Sequence, residues 1–186
     1  ERVFYQITRN AVATAGFTRL LADELNFPHA EQAYTCGLLH TIGQLVLLYN
    51  VPSSYEGLWN EAGHLRKPDP EKERFLFGVD YADLGAVAAQ KWRFPRSHRQ
   101  AIRYHIAPRD AAEDCETLAY AVSTGWHVSK QLLGENGPSE QRRYAPYCEG
   151  LNQLAERTDA TLNELQELLC SHVDDIEEFV NMAAPR

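Results

Sequence analysis

The residues with the clearest potential for chemistry are His40 and Thr41, a polar pair inside an otherwise apolar stretch. Small and apolar residues before the pair indicate the end of a buried helix, and we expect a break at Gly43 before a second apolar run. A helix end leaves backbone carbonyl groups unpaired and allows side chains to converge on a pocket. The sequence therefore predicts that a site of this protein would lie at this break.

His40 is open to two interpretations: it belongs to a ligand pocket, or it caps its helix and hydrogen-bonds a neighbouring side chain. Cys36 lies four residues earlier, so the two side chains can touch on a helix. Catalysis by a Cys36 thiolate is disfavoured, because an apolar environment raises the pKa of a thiol. The chain contains no G-x-S-x-G elbow, no phosphate-binding glycine loop and no H-E-x-x-H helix.

Helices must position these residues, because apolar residues recur at steps of three and four and nowhere alternate with period two. The pattern predicts helices over residues 3–25, 33–40, 44–49, 52–65, 71–77, 81–92, 96–105, 113–133, 149–156 and 159–182, with a polar loop over 135–146. The inward stripe of the last helix is expected to be Leu162, Leu165, Leu169, Val173, Ile176 and Val180. The fold class is therefore expected to be all-α.

The middle of the chain carries clear helix boundaries. Gly78 is expected to close the helix before it, and Asp80 to cap the next. On that next helix the predicted inward face is Leu84, Val87, Ala88 and Trp92. Packing roles are expected for Trp92 and Trp126, and surface or helix-end positions for His29, His64, His98 and His172.

Two blocks of the sequence resemble signatures of HDOD domains, signalling relatives of the HD metal-dependent phosphohydrolases. The first block is G-L-L-H-T-I-G-Q (37–44), where the family has G-L-L-H-D-I-G-K. The second is F-G-V-D-Y-A-D-L-G-A (77–86), followed by W-R-F-P and A-I-R-Y-H (101–105), where the family has F-G-x-D-H-A-x-x-G-A, W-x-x-P and A-I-x-x-H-H. The resemblance runs from about Ala11 to His105 and implies an HD-domain-like multi-helix bundle.

The resemblance also implies metal-ligand positions, which this chain fills poorly. Asn10 aligns with the first ligand His, Thr41 replaces the Asp of the His-Asp doublet, and Tyr81 stands where some relatives have His. An amide or a hydroxyl is a poor substitute for imidazole or carboxylate. We therefore expect a residual pocket of Asn10, His40, Thr41, Tyr81 and His105, with no catalytic, cofactor-binding or metal-ligating residue.

Plainer roles remain open for two of these residues: His105 ends its helix, and Tyr81 is a buried core aromatic. Residues 122–127, where the family's last ligand Asp would lie, contain no acid.

The function implied is a non-catalytic signal-transduction module of HDOD type in a bacterial regulatory protein. Its expected partners are signalling proteins, an upstream receiver-type domain or a small ligand. The alternative is a metal-dependent phosphohydrolase or phosphodiesterase with an atypical site around His40 and His105. A purely structural partner-binding surface is a third possibility.

Length and composition fit one domain over residues 1–186. Because HDOD domains carry a further helical lobe upstream, we expect this chain to be the C-terminal part of a longer protein. A net charge of −8 disfavours nucleic acid as a partner. No apolar run approaches the roughly 20 residues that span a bilayer, and no secretory signal is visible, so we expect no membrane partner and a cytoplasmic location. Four irregularly spaced cysteines are expected to be reduced thiols.

Overall fold

The structure is a computed structural model that describes residues 1–27, 30–61, 69–133 and 148–184. Within these ranges the chain forms helices and no strand, which confirms the all-α prediction. The helices are α1 (Arg2–Glu24), α2 (Ala30–Leu39), α3 (Ile42–Asn50), α4 (Pro52–Glu61), α5 (Pro70–Phe77), α6 (Tyr81–Lys91), α7 (Arg96–Tyr104), a 3-10 turn (Pro108–Asp110), α8 (Glu113–Leu133), α9 (Glu149–Arg157), α10 (Leu162–Ser171) and α11 (Val173–Ala183). His29, His64 and the loop predicted over 135–146 lie outside the described residues.

Helix α1 is the centre of the bundle and packs against α2, α3, α8, α10 and α11. One face of it is buried, and Phe17 on the same helix is fully enclosed; the buried residues at steps of three and four are Val3, Ile7, Ala11, Thr14, Thr18 and Leu21. Glycines let two neighbours approach closely. A Cβ at Gly37 of α2 would lie 2.7 Å from the α1 backbone at Ala15. A Cβ at Gly125 of α8 would overlap the hydroxyl of Thr18.

Two larger apolar clusters and one small one make up the described core. The first joins α1 and α8 to the C-terminal helices through side chains such as Phe17, Leu151 and Leu169. The second joins the start of α1 to α3, α4 and α6 through Ile7, Tyr55 and Tyr81. The third links α2, α7 and α8 through Cys36, Ala101 and Val122. None of the described helices is both long and apolar enough to cross a membrane.

The break between α2 and α3 falls at His40 and Thr41, where the polar pair was predicted to lie, but not at Gly43, so the break predicted at that glycine was wrong. Gly43 lies inside the first turn of α3, where it faces α6. A Cβ there would overlap the carbonyl oxygen of Tyr81 and lie 2.8 Å from the nitrogen of Gly85. The glycine is therefore required for close helix packing, and it does not interrupt a helix.

The predicted inward face of α6 was also wrong. Tyr81, Ala82, Gly85 and Ala89 are the buried residues of that helix. Val87 is 61% exposed and Trp92 is 54% exposed, so Trp92 is not a packing residue. After Tyr81 the inward side chains are small, because α3 approaches at Gly85 and leaves no room there for larger ones.

The predicted last helix is two helices that meet at His172. Its inward stripe is nevertheless confirmed on both sides of the break: Leu162 is partly buried against the core, and the buried members are Leu165, Leu169, Val173, Ile176 and Val180. His98 lies in the first turn of α7, which fits the helix-end position predicted for it, but it is 6% exposed and packs against the ring of Phe94, so it is not a surface residue. Burial lowers the pKa of His98.

Candidate functional site

His40 ends α2 and is fully buried. Its Nδ1 lies 2.6 Å from the carbonyl oxygen of Gly37, three residues earlier. Because a carbonyl oxygen only accepts, Nδ1 must carry the proton and donate it. His40 thus pairs one of the carbonyl groups left at the helix end, as its capping interpretation predicted. The same bond makes Nε2 the unprotonated nitrogen of the neutral ring.

His105 repeats this arrangement at the end of α7. Its Nδ1 donates to the carbonyl oxygen of Ile102 at 2.7 Å, again three residues earlier. Its Nε2 lies 2.8 Å from the hydroxyl of Tyr81, which is the first residue of α6. With Nδ1 protonated, Nε2 of the neutral ring accepts, so the Tyr81 hydroxyl donates this hydrogen bond.

The two imidazoles belong to one buried cluster of rings. The centroids of His40 and His105 lie 5.0 Å apart in an edge-on arrangement. The indole of Trp126, from the middle of α8, contacts His105 edge-on at 5.6 Å. Trp126 is 5% exposed. The ammonium group of Lys130 lies over the indole ring, with Nζ 3.4 Å from the ring centroid. We call His40, Tyr81, His105 and Trp126 the histidine cluster.

Thr41 and Asn10 occupy different surroundings. Thr41 is 2% exposed and lies at the α2–α3 break directly after His40. Asn10 accepts a 3.4 Å hydrogen bond from the hydroxyl of Ser129, which also bonds the Trp126 carbonyl oxygen at 2.9 Å. The structure therefore brings His40, Tyr81 and His105 together, and connects Asn10 to them through Ser129 and the backbone of Trp126.

A buried carboxylate holds the other end of Tyr81. Glu73 of α5 accepts 2.8 Å hydrogen bonds from the Tyr55 hydroxyl and from the backbone nitrogen of Tyr81. Asp80 caps α6 by accepting from the Asp83 nitrogen, as predicted, and forms an ion pair with Arg74. Burial, together with the charges of Glu73 and Asp80, raises the pKa of Tyr81 well above its usual range.

The donor set of the histidine cluster does not fit the metal that the HD resemblance implies. Over the described ranges, no three His, Cys, Asp or Glu side chains lie close enough together to hold a metal ion. The cluster offers two imidazoles, a protonated phenol and an indole, whereas a divalent cation in a hydrolase needs anionic oxygen or more imidazole ligands. That no metal is bound stays a prediction.

Several members of this network were not identified from the sequence. Trp126 was predicted only to pack, and Glu73 and Ser129 were not singled out. A glutamate inside a helix looks like a surface residue unless its neighbours are known, so no sequence signal marked Glu73. For Ser129, the signal is its position three residues after Trp126, from which its hydroxyl can reach the Trp126 carbonyl oxygen.

Cys36 is buried among the helices, and all four cysteines are free thiols, as predicted. Burial, with a smaller contribution from Cys115 nearby, raises the pKa of Cys36 to about 12. A thiol with so high a pKa is a poor nucleophile at neutral pH, which agrees with the rejection of thiolate catalysis.

This raised pKa predicts a loss of stability at high pH. An unfolded thiol ionises near pH 8.5 and the folded one only near 12. The stabilising contribution is thus complete at neutral pH and decreases as the pH rises above about 8.5. We expect Cys36 to account for a loss of about 2 kcal/mol at about pH 10. Between neutral pH and about pH 10, the free energy of unfolding of Cys36→Ala, measured with denaturant, should decrease less than that of the unaltered protein. If the free energy of unfolding of Cys36→Ala decreases as much as that of the unaltered protein, the expectation is wrong. Cys170→Ala, which removes a half-buried thiol, is the control.

Comparisons with known proteins agree with the fold. A family model for HDOD domains matches residues 3–108. A crystal structure of an HDOD domain protein of unknown function from Geobacter sulfurreducens superposes with a TM-score of 0.78 at 15% identity, covering 98% of this chain and 63% of that one. A candidate phosphohydrolase from Shewanella amazonensis SB2B gives a TM-score of 0.70 at 24% identity, covering 97% of this chain and 64% of that one.

Two further relatives are longer than this chain. A candidate signal transduction protein from Marinobacter aquaeolei VT8 gives a TM-score of 0.69 at 21% identity, with 95% of this chain and 39% of that chain covered. An uncharacterised protein from Treponema pallidum (strain Nichols) is 29% identical over 141 residues, which is 76% of this chain and 27% of the relative. The chain thus spans about a quarter of the length of this curated relative.

Proposed function

Because this chain belongs to the HDOD family, we propose that it is a non-catalytic signal-transduction module that acts by binding a protein or a small ligand. The observation that carries the proposal is the hydrogen bond from Tyr81 to Nε2 of His105. In a metal site this nitrogen would face a cation, but here it accepts a hydrogen bond from the Tyr81 hydroxyl. The raised pKa of Tyr81 keeps the phenol protonated, so it does not serve as an anionic ligand.

The context that we propose is a bacterial regulatory protein in the cytoplasm. Its partners in this proposal are other signalling proteins or an upstream receiver-type domain, with neither nucleic acid nor membrane involved. The net charge of −8 supports the exclusion of nucleic acid. Residues 1–186 belong to one domain in this proposal.

One observation favours the rival function, a phosphohydrolase or phosphodiesterase. The rings of His40 and His105 lie 5.0 Å apart, which is close enough for both to contact one ligand. Elemental analysis of the purified protein, combined with assays on generic phosphodiesters and several divalent metals, separates the two functions. We expect far less than one metal ion per chain and no turnover. A stoichiometric metal, or turnover that disappears in His40→Ala, would establish the rival.

A carboxylate restored at position 41 tests the same point by a gain of binding. In Thr41→Asp, a carboxylate would directly follow His40, as in the HDOD signature, so manganese should raise its Tm although it leaves the Tm of the unaltered protein unchanged. Thr8→Asp places the same charge on the exposed side of α1 and is the control. A manganese-dependent Tm in the unaltered protein would count against the proposal.

A further inference from the structure

A groove separates α6 from α7 on the side away from the buried face of α6. Its volume is about 360 Å³, which is within the range of small-molecule sites and exceeds the volume of a bare inorganic anion. The described residues that line it are Asp83, Ala86, Val87, Gln90, Arg96, Arg99, Gln100 and Arg103.

The groove is basic although the protein is acidic. Arg96, Arg99 and Arg103 follow one another at steps of three and four, so they share one face of α7. Asp83 is the only acidic side chain among the described residues that line the groove. Three arginines and one carboxylate line this space, and Asp114 beside it pairs with Arg96, so one positive charge is in excess here in a chain whose net charge is −8. Such a local excess of positive charge attracts an anionic ligand.

The arginines are incompletely paired. Arg103 contacts Asp83 through Nε at 2.9 Å, and Arg96 contacts Asp114 through Nη1 at 2.8 Å. Nε of Arg99 is buried and has no hydrogen-bond partner among the described residues. A buried guanidinium donor without an acceptor is costly, and a rotation of the Arg99 side chain, which lines the groove, would bring it to an anion there.

We propose that this groove binds an organic phosphate of the nucleotide class. Guanidinium groups match the geometry of phosphate oxygens and form paired, charge-assisted hydrogen bonds with them. The side-chain amides of Gln90 and Gln100 add neutral donors and acceptors for the rest of the ligand. The backbone nitrogen of Ala112 donates to Oε1 of Gln100 at 3.0 Å, which orients that amide. This site is separate from the histidine cluster, so it does not depend on whether that cluster is catalytic.

Calorimetric titration of the whole chain with adenosine monophosphate tests the proposal, in the presence of a chelator so that metal-dependent hydrolysis plays no part. We expect saturable, salt-sensitive binding of the nucleotide, weaker binding of inorganic phosphate and no binding of adenosine. Equal binding of adenosine and its phosphate, or no saturable binding of either phosphate, would overturn the proposal.

Three variants locate the binding. Arg99→Gln should weaken it by about tenfold or more, because one charge-assisted pair is lost. Asp83→Asn should strengthen it several-fold, because the competing carboxylate disappears. Arg19→Gln removes the same charge from a half-exposed position on α1, where the guanidinium pairs with Asp23, and should leave the affinity unchanged. If Arg99→Gln and Arg19→Gln weaken binding equally, only net charge matters and the groove is not the site.

Thermal unfolding shows whether weaker binding in Arg99→Gln results from a loss of folded structure. Since Nε of Arg99 has no partner among the described residues, we expect the Tm of the ligand-free variant to equal or exceed that of the unaltered protein. The rise in Tm on adding adenosine monophosphate should disappear in the variant and persist in Arg19→Gln. Persistence of the full rise in Arg99→Gln would refute the assignment of this residue.

Discussion

Replacing Gly43 with alanine is expected to lower the free energy of unfolding by about 3 kcal/mol or more. The added Cβ would overlap the carbonyl oxygen of Tyr81 and crowd the nitrogen of Gly85. Both obstacles are backbone atoms, so a side-chain rotation cannot relieve them, and α3 and α6 must separate. Denaturant unfolding followed by circular dichroism measures the loss.

Gly57→Ala is the matched control, because it makes the same change inside a helix. Nothing lies within 4 Å of a Cβ at Gly57. Alanine is favoured over glycine in a helix by about 0.5–1 kcal/mol, so this variant should be slightly more stable than the unaltered protein. Opposite signs for the two substitutions are the expected result. A Gly43→Ala variant as stable as Gly57→Ala would show that α3 and α6 are not in backbone contact.

Replacing Glu73 with leucine is expected to cost about 3 kcal/mol of stability. The side chain is fully buried and accepts hydrogen bonds from the Tyr55 hydroxyl and from the backbone nitrogen of Tyr81. Leucine has a similar size but no acceptor, so two buried donors would lose their partner. Thermal or denaturant unfolding measures the change.

A graded series sharpens this test. Glu73→Gln should cost less than Glu73→Leu, because the amide oxygen still accepts from the Tyr81 nitrogen while the hydroxyl of Tyr55 turns to accept from the amide group. Glu71→Leu, two residues away and exposed on the same helix, should change stability by less than about 1 kcal/mol. If Glu73→Leu and Glu71→Leu change stability equally, the Glu73 carboxylate does not hold α5 against Tyr55 and Tyr81.

Helix existence was predictable from the sequence because the local signals are strong. Gly78 closes α5 with a left-handed φ of 76°, and the bounds of α8 match the prediction. The errors have a common cause, which is that local patterns do not reveal which neighbour a residue faces. Gly43 was interpreted as a helix breaker because its partner, α6, is nearly forty residues away in the sequence. The buried residues of α10 and α11 keep helical spacing across the break at His172, so the sequence pattern predicted one helix where there are two.

The site was predictable in part. Motif positions pointed to His40, Tyr81 and His105, and the structure brings these three together. The roles of Trp126, Ser129 and Glu73 depend on contacts between distant helices, which no local spacing encodes. The arginines of α7 recur at steps of three and four, but they were not singled out from the sequence, because the groove beside them exists only once α6 packs there.

The contacts at Gly37, Gly43 and Gly125 have a consequence for how this protein responds to whatever it binds. Helices whose main chains touch cannot slide or roll past each other, so α1, α2 and α8 should move as one unit and α3 and α6 as another. The described part of α5 has one buried side chain, Glu73, and its Phe75 is 88% exposed. Rearrangement should therefore begin at the edge of the bundle, where amide hydrogens of α5 should exchange faster than those of α1.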